Sequence, residues 1–503
     1  MGWGGNLYVV NATPYTWTRV YQPAPGAGDM SAWHLPSVYA EFRTATTNDW
    51  GLTQYSVGTA SYPAIEIGIN GRDFGKGSYY LHLISISTLG NPKGTKITTP
   101  FVHNGSAFLF LGGTEGAFVS SNPPGRTWMR DTLPVIGHQS LRTTCLLGSH
   151  DAGMSLHRLA TKTSPFVTPA NVQTQTLDVG AQLASGVRFF DVRPVVSGGA
   201  YFTGHYSNTK SPLRWQGANG VSVAEIVAHV NAFTAACAEL VILDISHAID
   251  TDDRYQNFTQ RQWDVLFDML ADPVTGLKNL FTAPVGTRDL TKLSINQFIG
   301  AGKAAVVCLI QADRHIRIPK KYDGRGFYIK HTYFPVRPSV AYSNTDDVRF
   351  MMYDQRRKLE RYKTRREDPV VETSWTLTQV TGAEAAGFGP SILELASRAR
   401  NQLFPNLWGL CTDDSFPNLI ALDNVDSTEY LALAMAVMWW FSLAASPPPK
   451  RQPPSPVDEH SSSLLGHRRL KQQIPPHTHF RTHGEPVPHE RTAWLIVFAS
   501  PIF

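Results

Sequence analysis

The sequence has little charge and little cysteine for its length of 503 residues. Charged residues make up 17%, and 45 basic against 40 acidic residues leave a net charge of +5. So small an imbalance argues against a protein that binds nucleic acid, which needs a strongly basic surface. The cysteines, Cys145, Cys237, Cys308 and Cys411, are too sparse for a disulfide scaffold and are typical of buried free thiols in a reducing compartment.

Signals for export and for membrane insertion are also lacking. The N-terminus, Met-Gly-Trp-Gly-Gly, has no basic stretch followed by an apolar one, so no signal peptide is predicted. The apolar stretch Leu431–Ala445 spans about 15 residues, short of the ~20 that a helix needs to cross a bilayer. We interpret it as a closing helix of a barrel. The expected location is therefore cytoplasmic or peripheral to a membrane, without a transmembrane segment.

What the sequence does have is apolar content, with 42% hydrophobic residues, which is enough to bury a large core. Residues 1–128 consist of short apolar runs separated by Gly, Pro, Asn and Asp, such as Leu7–Val10, Ser37–Phe42 and Tyr79–Ile84. Such runs without helical periodicity indicate short strands. Residues 1–128 are therefore predicted to form an all-β, sandwich-like domain whose role the sequence does not reveal.

From residue 129 to 445 the pattern changes to apolar strands followed by helices. Uniformly apolar strands with helices between them are typical of a parallel sheet, and eight of them predict a closed TIM-type (β/α)8 barrel. The strand candidates are Thr144–Leu147, Val187–Val192, Tyr201–Thr203, Leu240–Ile245, Ala304–Ile310, Gly326–Ile329, Ser374–Thr378 and Leu419–Leu422. The main helix candidates are Val223–Ala235, Gln260–Leu270, Val348–Tyr362, Ser391–Gln402 and Ser427–Phe441.

Residues 446–503 belong to neither domain. They open with Ser-Pro-Pro-Pro-Lys-Arg-Gln-Pro-Pro and are rich in Pro, His and Arg. Such a stretch buries too little apolar surface to offset the loss of chain entropy, so we predict a disordered tail.

Polar residues at the strand ends are the candidates for chemistry, because the active site of such a barrel lies at the carboxyl ends of its strands. The first strand runs into Gly148-Ser149-His150-Asp151-Ala152-Gly153. In the second strand, the alternation of side chains places Asp191 and Arg193 on one face, at the barrel mouth. An arginine in a low-dielectric cavity needs a carboxylate or a phosphate beside it, so a structural salt bridge with Asp191 is the alternative interpretation.

A second histidine and a further carboxylate complete the pattern. Gly204-His205 ends the predicted third strand, and an acid–base reaction at a phosphodiester needs one group to remove a proton and another to supply one. Asp423 follows the eighth strand, which is adjacent to the first in a closed barrel. It is thus expected to reach His150 and to fix its tautomer.

These segments resemble a known family. The runs Gly148–Gly153, Gly186–Arg193 and Gly204-His205 are similar to the X domain of phosphatidylinositol-specific phospholipase C, most closely to its bacterial, metal-independent branch. The resemblance covers about residues 130 to 430. It implies a phosphoric diester hydrolase that cleaves a glycerophospholipid at a membrane surface, yielding diacylglycerol and a cyclic 1,2-phosphate of the headgroup.

The resemblance also implies a role for each candidate. His150 would be the general base, oriented by Asp423. His205 would protonate the leaving oxygen, assisted by Asp151. Arg193 would contact the phosphate, with Asp191 beside it.

Arg193 also bears on the cofactor. In the calcium-dependent branch the corresponding strand resembles Glu-x-Asp and holds the ion, whereas this chain has arginine at the second carboxylate position. A fixed guanidinium supplies positive charge to the phosphate and repels a cation at the same place. No metal and no other cofactor are therefore predicted.

The sequence departs from the family where the headgroup would be selected. The bacterial enzymes have basic residues after the fourth strand, where this chain reads Asp244-Ile245-Ser246-His247, and an inositol-contacting arginine is replaced within Val307-Cys308-Leu309. Asp244 and Trp375 are candidate substrate contacts. A role in supporting the fold remains open for Asp244, as does core packing for Trp375.

Two other functions remain open. A barrel that has kept the fold, but little or no activity, would serve as a lipid- or glycan-binding module. A metal-dependent glycerophosphodiesterase or sphingomyelinase D-like enzyme would require a carboxylate cluster at the second strand, which the sequence lacks. Two titratable histidines at one rim favour the hydrolase, because a pure binding protein has no need of them.

Overall fold

The structure, a computed structural model, describes residues 5–21, 39–44, 50–70, 77–100, 105–157, 163–208, 214–380 and 389–444. The predicted tail, residues 446–503, lies outside them. The strands are β1 Gly5–Ala12, β2 Trp17–Tyr21, β3 Tyr39–Thr44, β4 Trp50–Val57, β5 Ile65–Asn70, β6 Ser78–Leu83, β7 Lys96–Pro100, β8 Ser106–Gly112, β9 Val119–Ser120, β10 Leu146–Ser149, β11 Phe189–Val192, β12 Pro194–Ser197, β13 Ala200–Asn208, β14 Trp215–Ser222, β15 Leu240–Ile245, β16 Ile249–Asp250, β17 Gln256–Asn257, β18 Ala305–Ile310, β19 Phe327–Ile329, β20 Val336–Arg337, β21 Val370–Ser374 and β22 Leu419–Leu422. The helices are α1 Trp128–Ile136, α2 Pro169–Val172, α3 Val179–Ala184, α4 Val223–Ala236, α5 Gln260–Leu270, α6 Ile295–Ile299, α7 Lys330–Tyr333, α8 Val348–Tyr362, α9 Ile392–Trp408 and α10 Glu429–Ala444, with a 3-10 turn at Leu290–Lys292.

Eight parallel strands form a curled, TIM-like half-barrel, in the order β19-β18-β15-β11-β10-β22-β21-β20. The first and last barrel strands pair as expected, since β10 lies beside β22 with Leu147 opposite Ile420. The predicted parallel, TIM-like sheet is confirmed but its closure is not, because no ladder joins β19 to β20 in the described part of the chain. These two edge strands are three and two residues long.

The predicted third barrel strand, Tyr201–Thr203, is also misplaced. It lies within β13, which pairs antiparallel with β12 and β14 in a separate five-stranded sheet. The eighth place in the parallel sheet belongs to β20, which the sequence did not indicate because it contributes only Val336 and Arg337. His205 therefore reaches the site from a hairpin rather than from a barrel strand.

Local sequence explains most of the helix and strand positions. The helices α4 and α5 begin at capping boxes, in which Ser222 and Thr259 each accept a hydrogen bond from a backbone N–H three residues ahead. The observed bounds of α5 and α8 match the predicted ones. By contrast, β21 ends at Ser374, where the predicted strand begins. This shift places Trp375 just beyond the strand end.

The N-terminal strands form two sheets, β3-β1-β8-β9 and β2-β4-β5-β6-β7. Alternation along β1 divides its side chains between two cores. Leu7 and Val9 pack with residues of the second sheet, whereas Tyr8 and Val10 join the core that includes the barrel helices. The same core contains a stacked pair, Phe108 of β8 and Phe404 of α9, with ring centroids 5.1 Å apart.

The apolar stretch that was predicted to form a closing helix lies in α10. Its residues from Leu431 to Trp439 are all almost completely buried. It contacts β8 and β1 on one side and β10 of the barrel on another, and a helix enclosed in this way is apolar all round. None of the helices in the described ranges is long and apolar enough to span a membrane. All the described residues belong to one compact unit, and the boundary at residue 128 stays a prediction.

Candidate active site

The candidate residues meet at the carboxyl edge of the parallel sheet. Residues just after three strand ends have left-handed backbone conformations, with φ of 43° at Asp151, 51° at His247 and 51° at Asn424. Asp, His and Asn adopt this conformation more readily than other residues that have a Cβ atom. The three tight turns that contain them follow β10, β15 and β22 and lie at this edge of the sheet.

His150 is held between a carboxylate and a guanidinium. Its Nδ1 lies 2.7 Å from Oδ1 of Asp423, and its Nε2 lies 2.7 Å from Nη2 of Arg193. Because arginine can only donate, Nε2 is the acceptor, and Nδ1 therefore carries the proton that is donated to Asp423. Burial works against the charged ring, but the Asp423 carboxylate raises the pKa of His150 above its ordinary value. The ring thus presents a basic Nε2 to the cavity.

Arg193 is surrounded by carboxylates. Its Nε and Nη2 lie 2.9 and 2.8 Å from Oδ2 of Asp191, and its Nη1 lies 3.4 Å from Oδ2 of Asp151. Although burial opposes ionisation, Arg193 lowers the pKa of Asp191 well below its usual value. Asp151 differs, because its burial raises the pKa to about 7 despite the guanidinium. One carboxylate therefore stays charged, whereas the other holds a proton near neutral pH.

His205 lies on the other side of Asp151. Its Nδ1 is 3.2 Å from the carbonyl oxygen of Val172 and 3.9 Å from Oδ2 of Asp151. The carbonyl can only accept, so Nδ1 carries a proton and Nε2 is the position that gains or loses one. Burial, together with repulsion from Arg193, lowers the pKa of His205 to about 3. The ring is thus neutral in the absence of an anion.

Glycine allows the hairpin to approach the barrel this closely. A Cβ atom at Gly153 would lie 2.2 Å from Oγ1 of Thr203, and one at Gly220 would lie 2.3 Å from the carbonyl oxygen of Gly153. The loop after β10 therefore packs directly against β13 and β14. This contact brings His205 next to the loop that carries His150 and Asp151.

A second charged group, Asp244 with Lys330, lies next to Asp191. Asp244 is opposite Asp191 in the ladder between β11 and β15, and its Oδ2 is paired with Nζ of Lys330. Burial raises the pKa of Asp244 and of Glu372, and Lys330 acts against both shifts. Lys330 comes directly after β19, and Glu372 lies within β21. Neither residue was predicted from the sequence. Lys330 supplies a cation that the residues after the fourth strand lack.

The structure brings His150, Asp151, Asp191, Arg193 and Asp423 together, as the sequence predicted, with His205 beside them. It places Trp375 elsewhere. This side chain is 1% exposed, and its Nε1 donates to the carbonyl oxygen of Ala399 in α9 over 2.8 Å. Core packing is thus favoured for Trp375, and the prediction that it contacts the substrate is not supported.

No group of three or more His, Cys, Asp or Glu side chains within the described ranges is arranged to hold a metal ion. The absence of a cofactor stays a prediction, since its basis is the position of Arg193.

No family model and no curated protein match the sequence. Among solved structures, the chain is similar to phosphatidylinositol-specific phospholipase C from Staphylococcus aureus in a form with pentafluoro-Phe incorporated, with 15% identity and a TM-score of 0.43 over 62% of this chain and 97% of that chain. A double mutant of the same enzyme gives 14% identity and a TM-score of 0.45 over 62% and 97%. The enzyme from Listeria monocytogenes gives 12% identity and a TM-score of 0.42 over 62% and 98%. Similarity at this level does not transfer an activity, so the function has to be supported by the site itself.

Proposed function

We propose that this protein is a phosphoric diester hydrolase of the phospholipase C type, which cleaves a glycerophospholipid by acid–base catalysis without a metal. The observation that carries the proposal is the pair of imidazoles, His150 and His205, on either side of Arg193 and Asp151. Each ring has its Nδ1 proton fixed by a neighbouring oxygen, and each therefore has Nε2 for proton transfer. Such a pair suits a reaction in which one oxygen is deprotonated while another is protonated.

In the proposed reaction, Nε2 of His150 removes the proton from a headgroup hydroxyl next to the phosphate. The hydroxyl oxygen forms a bond to phosphorus, and the bond from phosphorus to the glycerol oxygen breaks. Binding of the phosphate anion draws the proton stored at Asp151 onto Nε2 of His205. The leaving oxygen takes this proton, which returns His205 to the neutral form, and the products are diacylglycerol and a cyclic phosphate. Asp423 stabilises the positive charge that develops on His150.

Arg193 supplies the charge that a metal would supply in other phosphodiesterases. Its guanidinium is held by Asp191 and has an Nη2 that now donates to His150. A bound phosphate oxygen would compete for that donor, which would release Nε2 of His150 for its role as the base. Loss of one such electrostatic stabiliser typically costs about 2.7–4 kcal/mol of barrier.

The pKa shifts of the free site predict a bell-shaped pH profile. His150 must be neutral to act as the base, and its raised pKa removes activity on the acid side. The acid must hold a proton, and Asp151, with its pKa raised to about 7, is the group that stores it beside His205. Above that pH Asp151 ionises and its proton is no longer available to the acid, so kcat/KM is expected to fall on the alkaline side.

Asp151→Asn tests this assignment. The variant cannot ionise, so we expect kcat/KM to be about 10²-fold lower at pH 7 and its alkaline limb to disappear, while the acid limb remains. The measurement is kcat/KM from pH 5 to 9 for both proteins. An unchanged alkaline limb in Asp151→Asn would assign that limb to another group.

The rim of the barrel offers a surface for membrane contact. The segment 338–347 follows the carboxyl end of β20, and α8 begins directly after it. Phe350 and Tyr353, in the first turns of α8, are 52% and 56% exposed, and Val340 and Tyr342 of the loop are exposed as well. Large exposed apolar side chains on the segment that follows the carboxyl end of β20 fit a protein that takes its substrate from a bilayer.

Replacement of both Phe350 and Tyr353 by Ser is therefore expected to weaken binding to phospholipid vesicles at least about tenfold, since burying one such side chain is worth about 1.5–3 kcal/mol. Vesicle co-sedimentation measures the effect. Val274→Ser is the matched control, because Val274 is 81% exposed in the turn after α5, at the opposite edge of the sheet. Equal vesicle binding by the double variant and the control would show that the rim does not contact the membrane.

The activity itself is tested by a panel of phospholipids. Purified full-length protein is incubated with vesicles that differ only in headgroup, and the release of diacylglycerol is measured. We expect release from at least one lipid whose headgroup has a hydroxyl next to the phosphate. Vesicle binding without release from any member would favour the alternative function, a lipid-binding barrel.

A further inference from the structure

The two chain segments that carry His150 and Asp423 separate at the end of their strands. The ladder between β10 and β22 ends with the N–H of His150, which donates to the carbonyl oxygen of Leu422 over 3.0 Å. In a parallel ladder, the next bond would run from the N–H of Asn424 to the carbonyl oxygen of His150. Asn424 instead turns into the left-handed conformation and donates to the carbonyl oxygen of Thr174. The carbonyl oxygen of His150 therefore needs a donor from outside the ladder.

Gln175 supplies that donor. Its side chain is completely buried, and its Nε2 donates to the carbonyl oxygens of His150 over 2.9 Å and of Leu422 over 3.2 Å. Its Oε1 accepts from the N–H of Val425 over 3.0 Å. A carbonyl oxygen only accepts and a backbone N–H only donates, so these three partners fix the orientation of the amide. One side chain thus joins the backbone of His150 to residues that flank Asp423.

The residues next to Gln175 bind the same part of the molecule. Oγ1 of Thr174 donates to the carbonyl oxygen of Asp151 over 2.9 Å. The carbonyl oxygen of Val172 is the one that faces Nδ1 of His205. This short segment between α2 and α3 therefore contacts both the loop of the proposed base and the ring of the proposed acid.

We propose that Gln175 is a positioning residue of the hydrolase, whose amide holds the backbone of His150 at the distance from Asp423 at which the carboxylate binds Nδ1 and leaves Nε2 for proton transfer. The assignment rests on the proposed function, because it takes His150 as the base. Hydrogen bonds weaken steeply as their geometry departs from the preferred one, so a small displacement of either loop weakens the contact. Gln175 acts through His150, since the groups it binds are backbone groups.

The contact with Asp423 has a measurable consequence for the imidazole. Burial lowers the pKa of His150, whereas the Asp423 carboxylate raises it, and the net shift is upward. The other charged and titratable groups around the ring are Arg193, Asp191, Asp151, Glu372, His205 and His247. Loss of the Gln175 amide loosens the contact with Asp423, so the pKa of His150 is expected to fall.

The test is an NMR titration of the imidazole in the full-length protein without substrate, with the resonance of His150 assigned from its absence in His150→Ala. Gln175→Met keeps the length of the side chain but has no donor. We expect a lower pKa of His150 in this variant than in the wild type, and an acid limb of kcat/KM that moves to lower pH with it. For a phospholipid substrate, kcat should fall at least about tenfold with KM unchanged, since a misplacement of about 1 Å can cost about 10²-fold.

Gln182→Met is the matched control. Gln182 is also completely buried, and its Nε2 also donates to two backbone carbonyl oxygens, those of Ala152 and Leu177. These two partners precede α3 and do not belong to the loop after β22. We expect Gln182→Met to lose stability in urea to a similar extent as Gln175→Met, and to keep the pKa of His150.

Gln175→Asn is the second variant, because it keeps an amide in the buried position but is one carbon too short to span both loops. We expect it to lower the pKa of His150 in the same direction. An unchanged pKa of His150 in both Gln175 variants, or loss of folding in both while Gln182→Met folds, would overturn the positioning role. Failure of the proposed function looks different: the wild type would then cleave no phospholipid, although the pKa of His150 would still fall in Gln175→Met.

Discussion

His150→Ala is expected to lower kcat/KM for a phospholipid substrate at least about 10²-fold, because it removes the proposed base, whose Nδ1 is held by Asp423 and whose Nε2 faces Arg193. The loss should appear in kcat, since the imidazole acts in the transition state rather than in binding. Initial rates of diacylglycerol release, measured over a range of lipid concentrations, give both constants. Asp423→Asn should follow in the same direction, because the amide no longer favours the tautomer that leaves Nε2 free.

A matched substitution separates this effect from a general cost of losing a histidine. His138 is exposed and lies between α1 and the first barrel strand, away from the carboxyl edge of the sheet. His138→Ala should therefore retain the activity of the wild type. If His150→Ala and His138→Ala had the same kcat, the acid–base assignment would be wrong.

Arg188→Met is expected to lower the free energy of unfolding by about 3–5 kcal/mol, because it leaves a buried carboxylate without its partner. Arg188 and Glu239 are both completely buried, and the two side chains meet at 2.8 Å. The remaining donors of Arg188 are bound to backbone carbonyl oxygens, among them those of Gly125, Leu183 and Val187. Loss of the guanidinium thus leaves acceptors of three segments without their donor.

The substitution is expected to affect α1 as well, because Glu239 also accepts hydrogen bonds from the backbone N–H groups of Met129 and Arg130 at the start of that helix. Urea unfolding followed by tryptophan fluorescence measures the change. The control is Arg130→Met, which removes a half-exposed partner of Asp131 and should shift stability by no more than about 0.5 kcal/mol. Equal midpoints for the two variants would contradict this account of the pair. Adding Glu239→Gln to Arg188→Met should restore part of the loss.

The part of the site that follows from parallel strands could be predicted from the sequence. His150, Asp191 and Asp423 come at or just after uniformly apolar runs, and the carboxyl ends of neighbouring parallel strands meet at one edge. The pairing of the first strand with the last then places Asp423 beside His150, as the structure shows.

The sequence predicts His205 as a site residue, but from a barrel strand that the structure does not contain. Its segment is apolar enough to resemble a barrel strand, but it alternates with polar residues and returns as a hairpin through β12, β13 and β14. The proximity of His205 to Asp151 depends on Gly153 and Gly220, whose missing side chains let two segments touch. Contacts of this kind between distant segments leave no periodic signal in the sequence.

Ion pairs between residues that are far apart in the chain could likewise not be predicted from the sequence. Lys330 reaches Asp244 from 86 residues away, and nothing in the run Phe327–Ile329 distinguishes it from other short strands. The position of Trp375 was missed because β21 ends four residues earlier than the predicted strand. Because of this difference of four residues, Trp375 lies beyond the strand end and packs against α9.

The central claim is that two imidazoles and a guanidinium, without a metal, transfer a phosphoryl group to a hydroxyl of the same headgroup. The measurement that tests it most directly is ³¹P NMR of the products formed from phosphatidylinositol vesicles by the full-length protein in excess EDTA. The account predicts the resonance of a five-membered cyclic phosphate, formed at the same rate with and without the chelator. A linear monophosphate as the first product, or turnover that stops in EDTA and returns with calcium, would contradict it.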